Sequence, residues 1–189
     1  MAANTGVVGS AFVDDDLGER LALLRRLGFG DLEHDSHVPF LSHLLGTRRL
    51  LQQWGERPAL CDAGLFHSAY GTEYFPVDAP ADPAEVQAVI GIEAEAIARS
   101  WCTIRRDTIE LDAVGGATVV DRTTGERVRL DAGALSDVAT LWAADTAEQV
   151  ARMEPHERAF ARNLLGVLHV ASPSARDAVA AVRPLLVDP

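Results

Sequence analysis

The sequence has no lysine, since all 17 basic side chains among its 189 residues are arginine. Schiff-base chemistry, a P-loop and a Ser–Lys dyad each need a lysine amine, so these three kinds of site are excluded. Cysteine is scarce as well: Cys61 and Cys102 lie in apolar segments without another Cys or His at metal-site spacing. We therefore expect neither a disulfide framework nor a zinc knuckle.

Long hydrophobic runs are also missing from the chain. No stretch reaches the roughly 18 uninterrupted apolar residues of a membrane span, and the first residues, MAANTGVVGSAFVDDD, place no basic segment ahead of an apolar one. The net charge of -11 repels the phosphates of nucleic acids and anionic membrane surfaces. The sequence therefore predicts a cytoplasmic protein that binds neither nucleic acid nor membrane.

The patterns that are present predict a mainly α fold, a helical bundle with one small β-hairpin. Apolar residues make up 48% of the chain, enough to bury the core of one domain over 1–189. ATVVD and ERVRL flank the turn RTTG and predict the hairpin over about 116–131. A flexible tail is expected over about 1–13 and a loop or broken helix over 69–83. Helical spacing and terminal Pro and Gly residues predict helices over 14–28, 39–55, 58–68, 83–103, 134–152, 154–169 and 173–186.

Three side chains of metal-ligating types are predicted to face the core. His43 shares a helical face with Phe40 and Leu50, and His67 ends the apolar segment PALCDAGLFH. Asp145 continues the apolar ridge of its own predicted helix. A buried imidazole needs a partner, and an unpaired buried aspartate costs several kcal/mol unless it is protonated or coordinated. A shared metal ion would satisfy all three, while hydrogen-bonded core histidines and an aspartate paired with arginine stay open as alternatives.

Residues near these three side chains add further expectations. Gly64 is small enough to let another helix approach the segment that carries the second histidine. Glu148 and Gln149 follow Asp145 by one helical turn and are expected to orient a ligand. His37 precedes the first histidine by six residues on a different helical face, and we expect it to reach a substrate or to move a proton.

The segment HLLGTRRLLQQWGERPALCDAGLFH, from His43 to His67, resembles the opening of the HD superfamily of metal-dependent enzymes. In that superfamily a helical histidine is followed about two dozen residues later by a His–Asp pair, and a final aspartate lies on a later helix. The segment WAAD, which ends at Asp145, is similar to the segment that carries this final aspartate. The resemblance covers about residues 35–150 and implies an HD-like helical bundle with a divalent ion, Fe, Mn, Mg or Zn.

One position departs from the HD pattern, because Ser68 stands where the pair has its aspartate. That aspartate bridges the two ions of binuclear HD sites. Glu73 is expected to replace it as a ligand or to act as a general base. The string AGLFHSAYGTEYF resembles an uncharacterised bacterial subgroup with HSxYGT in place of HD, and this resemblance implies substrate contacts for Ser68, Tyr70 and Glu95. Aromatic packing of Tyr70 and a salt bridge between Glu95 and Arg99 stay open as alternatives.

Three functions are compatible with these residues. The leading one is a metal-dependent hydrolase that acts on a phosphoester or a nucleotide-like small molecule, with Glu73 or His37 moving the proton. Arg48 and Arg49 would then bind the phosphate, since the chain has no lysine. The alternatives are an HD-fold iron-dependent oxygenase acting on a small metabolite and a non-catalytic ligand-binding domain. Each implies a small-molecule partner, and a homodimer is a further expectation.

Overall fold

Helices make up most of the computed structural model, which describes residues 17–30, 33–34 and 38–187. The predicted tail over 1–13, the first three residues of the helix predicted over 14–28 and the candidate residue His37 lie outside these residues. None of the helices in these ranges is long and apolar enough to cross a membrane. In chain order the elements are α1 (Leu17–Arg26), β1 (Glu33–His34), β2 (Val38–Pro39), α2 (Phe40–Gln53), α3 (Pro58–Leu65), α4 (Pro83–Thr103), β3 (Ile104–Leu111), β4 (Ala117–Asp121), β5 (Arg127–Leu130), α5 (Ala132–Gln149), α6 (Pro155–Ala161), α7 (Leu164–Val167), a 3-10 turn (Leu168–Val170) and α8 (Pro173–Val187).

The predicted helices are confirmed, with changes at their ends and inside two of them. α3 ends at Leu65, so His67 lies in the turn that follows and not on the helix itself. The helix predicted over 154–169 is divided into α6, α7 and the 3-10 turn. α4 has its predicted bounds but contains a break at Gly91, whose φ of 83° and ψ of 162° belong to a region open essentially to glycine alone.

Two aspartates set the starts of α4 and α5. Asp82 and Asp131 are the N-cap residues, and their side chains accept hydrogen bonds from the backbone N–H groups of Ala84 and Ala134. α5 therefore begins within two residues of the end of β5. Its far end packs against α2, which is the contact on which the functional site depends.

The core is built around α2, α3, α4 and α5, with α3 packed against both α2 and α4. Gly64 on α3 faces α2 and α5: a Cβ at this position would lie 2.5 Å from Cδ1 of Leu51 and 3.6 Å from Cδ1 of Leu141. The predicted close approach at this glycine is confirmed. Any larger side chain would have to displace the Leu51 side chain, because protein interiors leave little free volume.

A three-stranded antiparallel sheet follows α4 in the order β3-β4-β5. The predicted hairpin is confirmed as β4 and β5, but the expectation of a hairpin alone is wrong because β3 pairs with β4 as a third strand. Ile104 continues directly from α4 without glycine or proline, so no local signal separates the helix from the strand. Ile104 and Arg106 are buried while Arg105 and Asp107 are exposed, which is the alternation of a strand with one covered face.

Candidate metal centre

Three elements bring His43, His67 and Asp145 together. His43 lies on α2, Asp145 lies on α5, and His67 lies in the turn after α3. The side chains are 3%, 3% and 16% exposed, respectively. Among the described residues, these three form a group that could hold a metal ion, as the sequence predicted.

The inward-facing atoms of this triad form a nearly equilateral triangle. His43 Nε2 lies 3.2 Å from His67 Nε2 and 3.2 Å from Asp145 Oδ1, and His67 Nε2 lies 3.3 Å from the same oxygen. Ligand atoms about 2.1 Å from one ion are about 3.0 Å apart on an octahedral face and about 3.4 Å apart in a tetrahedron. The observed spacing falls between these two values, so it fits a single shared ion.

The outer nitrogen of each imidazole is held by an acceptor. His67 Nδ1 donates to the carbonyl oxygen of Gly64 at 2.6 Å, and His43 Nδ1 donates to Glu148 Oε2 at 2.6 Å. A carbonyl oxygen and an ionised carboxylate only accept hydrogen bonds, so each Nδ1 carries a hydrogen. In neutral imidazoles the two Nε2 lone pairs then point at each other and at Asp145. Three such electron pairs repel one another unless a cation lies between them.

The charges around the triad favour positive charge at its centre. Burial lowers the pKa of His43, but Asp145 and Glu148 outweigh burial and raise this pKa to about 9. Burial acts to raise the pKa of Asp145, yet the two histidines hold it well below its ordinary value. Against the effect of burial, His43 and Arg152 also lower the pKa of Glu148. A proton on His43 or a metal ion can supply the charge that these carboxylates require.

Gly46 gives Glu148 its place beside His43. A Cβ on Gly46 would lie 2.7 Å from Cγ of Glu148 and 2.9 Å from its Oε1. Arg152 holds the same carboxylate, with its Nη2 2.8 Å from Oε1 and 2.7 Å from Oε2. The predicted role of Glu148 in orienting a ligand therefore agrees with its contacts, and the missing side chain of Gly46 makes those contacts possible.

Replacing Gly46 by alanine is expected to weaken metal binding by about 10- to 100-fold, the usual effect of losing an outer partner of a ligating histidine. The added methyl group displaces Glu148 from His43 and leaves the three ligands in place. Competition with a chromophoric chelator measures the affinity. In a Glu148→Gln background the same substitution is expected to change metal affinity little further. If the two substitutions instead lower metal affinity additively, Gly46→Ala does not act through Glu148.

The turn that carries His67 is fixed by contacts with α4 and the sheet. Cys102 Sγ donates to the carbonyl oxygen of His67 at 3.1 Å. Arg122 donates through Nε to the carbonyl oxygen of Cys102 at 2.6 Å, and through Nη2 to those of Tyr70 and Gly71 at 3.1 and 2.8 Å. The sheet thus supports the segment after α3, which is why the second histidine keeps its position beyond the helix end.

A cavity of about 310 Å³ opens onto the triad. Phe40 stacks on Phe75 with ring centroids 4.3 Å apart, and Trp101 meets Trp142 edge-on at 6.2 Å. The volume lies near the lower end of the range of about 300–1,000 Å³ seen for ligand pockets. The cavity therefore fits a small organic molecule. Its polar side comes from the end of α5 to α6: Thr146, Gln149, Arg152, His156 and Glu157.

Arg106 also lines the cavity, although it was not among the predicted site residues. Its guanidinium carbon lies 4.1 Å from the ring centroid of Trp101, 5.1 Å from that of Tyr74 and 5.7 Å from that of Trp142. Its Nε lies 2.9 Å from Oε1 of Glu73 in an ion pair, and its side chain is 3% exposed. The period-two alternation along β3 was the signal that could have placed this arginine inward.

The comparison with known families concerns the first part of the chain. Residues 23–106 match the model of a family described as a domain of unknown function (DUF6817). No curated protein and no solved structure matches the chain. The matched segment includes His43, His67 and Arg106 and ends before Asp145.

Of the four residues predicted to contact a substrate, Ser68 is buried and lines the cavity. The other three, Tyr70, Glu95 and Arg48, are absent from the lining formed by the described residues. Tyr70 donates its hydroxyl hydrogen to Glu95 Oε1 at 2.9 Å, and Arg48 Nε lies 3.4 Å from Oδ1 of the buried Asp62. Their substrate roles stay predictions, while the contacts that the structure gives them are internal.

Glu73, one of the two predicted proton-transfer residues, is not brought to the triad. Glu73, expected as a replacement ligand or a general base, pairs with Arg106 instead. His37 lies outside the described residues, so its role stays a prediction. Arg49, expected to bind a phosphate, is exposed on α2 and is not among the described residues that line the cavity.

Proposed function

We propose that this protein is a metal-dependent hydrolase with an HD-like fold, in which His43, His67 and Asp145 hold one divalent ion. The observation that carries the proposal is the convergence of two imidazole nitrogens and one carboxylate oxygen within 3.2–3.3 Å of one another, with the outer nitrogen of each imidazole bound to another acceptor. The order of the ligands supports the HD-like assignment, since a helical histidine, a second histidine 24 positions later and an aspartate on a later helix follow one another. Ser68, in place of the bridging aspartate, favours one ion over two.

The donor set restricts which ions suit the site. Two imidazole nitrogens and one carboxylate oxygen are suited to Fe, Mn or Zn, whereas Mg prefers oxygen ligands and retained water. A bound ion would polarise the substrate and activate a water molecule for attack on an ester.

The residues of the chain would supply orientation and proton transfer. Glu148 and the carbonyl oxygen of Gly64 hold the two imidazoles with their Nε2 lone pairs facing inward. The aromatic walls of the cavity bind the substrate and reduce its contact with bulk water. His156 lines the cavity at the start of α6, and we assign it the proton transfer because histidine is the residue most often used for that step.

The same ligands support a second candidate, an iron-dependent oxygenase. Two histidines and one carboxylate are the ligands of mononuclear iron enzymes that leave positions open for oxygen and substrate. The stacked and edge-on rings in the cavity wall favour this candidate, because they suit an organic metabolite.

Protein purified without chelators is expected to contain one equivalent of divalent metal per chain. Elemental analysis by mass spectrometry after size-exclusion chromatography measures the content and identity of the ion. The same samples, stripped and then reloaded with Fe, Mn, Zn or Mg, are assayed for hydrolysis of bis(p-nitrophenyl) phosphate and p-nitrophenyl phosphate. Hydrolysis that is lost on stripping and restored on reloading supports the hydrolase.

Three results would decide against the hydrolase. Activity that is unchanged in metal-free protein refutes the metal mechanism. Oxygen consumption by the iron-loaded protein with a candidate metabolite, without phosphoester hydrolysis, replaces the hydrolase with the oxygenase. Protein that binds no stoichiometric ion under any loading condition leaves the non-catalytic ligand-binding domain as the function.

A further inference from the structure

Arg106 places a positive charge on the wall of the cavity that also contains the three metal-ligating side chains. Its side chain is almost fully buried, and neither its Nε nor its Nη1 makes a hydrogen bond within the described part of the chain. Buried N–H groups without acceptors are unfavourable, and native proteins satisfy nearly all of them. An acceptor that enters the cavity would remove this cost.

Glu73 neutralises the charge of Arg106 but does not accept hydrogen bonds from all of the N–H groups of the guanidinium. Oε1 of Glu73 lies 2.9 Å from Nε of Arg106, but the pair lacks the geometry of a hydrogen bond. A guanidinium carries five N–H donors in a fixed planar fork. The ion pair therefore offsets the buried charge and leaves Nη1 without an acceptor among the described residues.

The surrounding rings hold the guanidinium in one orientation. Trp101, Trp142 and Tyr74 surround it at cation–π distances. The ring of Trp101 also lies 6.2 Å from that of His67, so the arginine and the metal centre share one wall of the cavity. A planar fork fixed in this way suits the two oxygens of a carboxylate or of a phosphate group.

Arg152, another arginine in the lining, is already engaged. Its Nη2 donates to both carboxylate oxygens of Glu148, and its Nη1 donates to the backbone carbonyl oxygen of the same residue. Arg106 is therefore the better placed of the two to bind an anion. The stacked rings of Phe40 and Phe75 line the same cavity and suit a planar apolar group.

We propose that Arg106 is the anion-binding residue of this cavity, and that its ligand is a small molecule with a planar apolar group and an oxyanion, either a carboxylate or a phosphate. This inference rests on the proposed function, because it names the class of substrate that the metal centre would meet. Glu73 acts on the ligand through Arg106, as a positioning residue that tunes the charge offered to the anion.

Isothermal titration calorimetry with benzoate, phenyl phosphate and the neutral benzamide tests the proposal. We expect wild-type protein to bind at least one of the two anions more tightly than benzamide, and the stronger anion identifies carboxylate or phosphate as the preferred group. Arg106→Gln is expected to weaken anion binding by about 10- to 100-fold and to leave benzamide binding unchanged. The matched control Arg105→Gln, an exposed arginine one residue earlier on β3 that pairs with Asp107, is expected to change anion binding little. A folded Arg106→Gln protein with wild-type anion affinity, or wild-type protein that binds no anion more tightly than benzamide, would overturn the proposal.

A second variant keeps the test decisive if Arg106→Gln does not fold. Glu73→Gln removes the carboxylate that competes with the ligand for the arginine, so anion binding is expected to strengthen several-fold. Weaker or unchanged anion binding in this variant overturns the proposal. Each titration is run on metal-loaded and on chelator-treated protein of measured metal content. Anion binding that survives chelation and is weakened in Arg106→Gln supports the inference even if the protein does not hydrolyse phosphoesters. Anion binding that requires the metal and is unchanged in Arg106→Gln overturns the inference but leaves the proposed function standing.

Discussion

Replacing His67 by alanine is expected to lower metal affinity by more than about 100-fold, beyond the loss that follows from removing an outer partner of a ligand. The substitution removes one of three donor atoms that lie 3.2–3.3 Å apart, and neither neighbouring Ser68 nor Tyr70 offers an equivalent nitrogen. Elemental analysis measures the loss of the ion, and the phosphoesterase assay on metal-reloaded protein measures the loss of hydrolysis.

Two companion variants separate the loss of a ligand from general damage. Asp145→Asn keeps the size of the side chain while removing its charge, so it is expected to lose metal to a similar extent. His169→Ala removes an exposed histidine far along the chain and is expected to retain one ion per molecule and full hydrolysis. If His67→Ala protein unfolds like wild type in denaturant and still carries one ion, the proposed centre is wrong.

Replacing Glu95 by alanine is expected to reduce the free energy of unfolding by about 3 kcal/mol. Its carboxylate is fully buried, accepts hydrogen bonds from the Tyr70 hydroxyl and from Gln87 Nε2 at 2.9 Å each, and lies 3.0 Å from Arg99 Nε. Alanine leaves the hydroxyl and the amide without this acceptor. Urea unfolding followed by circular dichroism gives the change in free energy.

Glu93, two residues earlier on α4, provides the matched control. It forms an exposed ion pair with Arg57, so Glu93→Ala is expected to change the free energy of unfolding by less than about 1 kcal/mol. The comparison also tests the sequence-based expectation that Glu95 contacts a substrate. Wild-type stability of Glu95→Ala together with weakened ligand binding would favour that expectation over a role in the fold.

Helical periodicity was sufficient to predict the direction of two of the three side chains of the triad. His43 and Asp145 lie on the apolar faces of α2 and α5, and these faces are buried against each other because both helices extend through the core. The absence of a side chain at Gly64 likewise indicated the close contact of α3 with its neighbours. Local sequence patterns determine these features, so they could be recognised without the structure.

The remaining features depend on contacts between distant parts of the chain. Arg106 lies on a strand that continues directly from a helix, and its pairing with Glu73 follows from the packing of the sheet on the preceding loop. Arg48 is of a residue type that often binds phosphate, but the fold pairs it with Asp62. The place of Glu148 depends on Gly46 of another helix. Sequence spacing within one element cannot specify such partners.

The ligands of the triad come from positions 43, 67 and 145, so one ion would join segments that are far apart in the chain. Such an ion acts as a reversible cross-link of the helical core and stabilises the folded state in proportion to its supply. At a free metal concentration of about 100 times the dissociation constant, this linkage adds about 2.7 kcal/mol to the free energy of unfolding. Under metal limitation the protein would therefore lose resistance to proteolysis together with its activity, and its abundance would follow the availability of the ion.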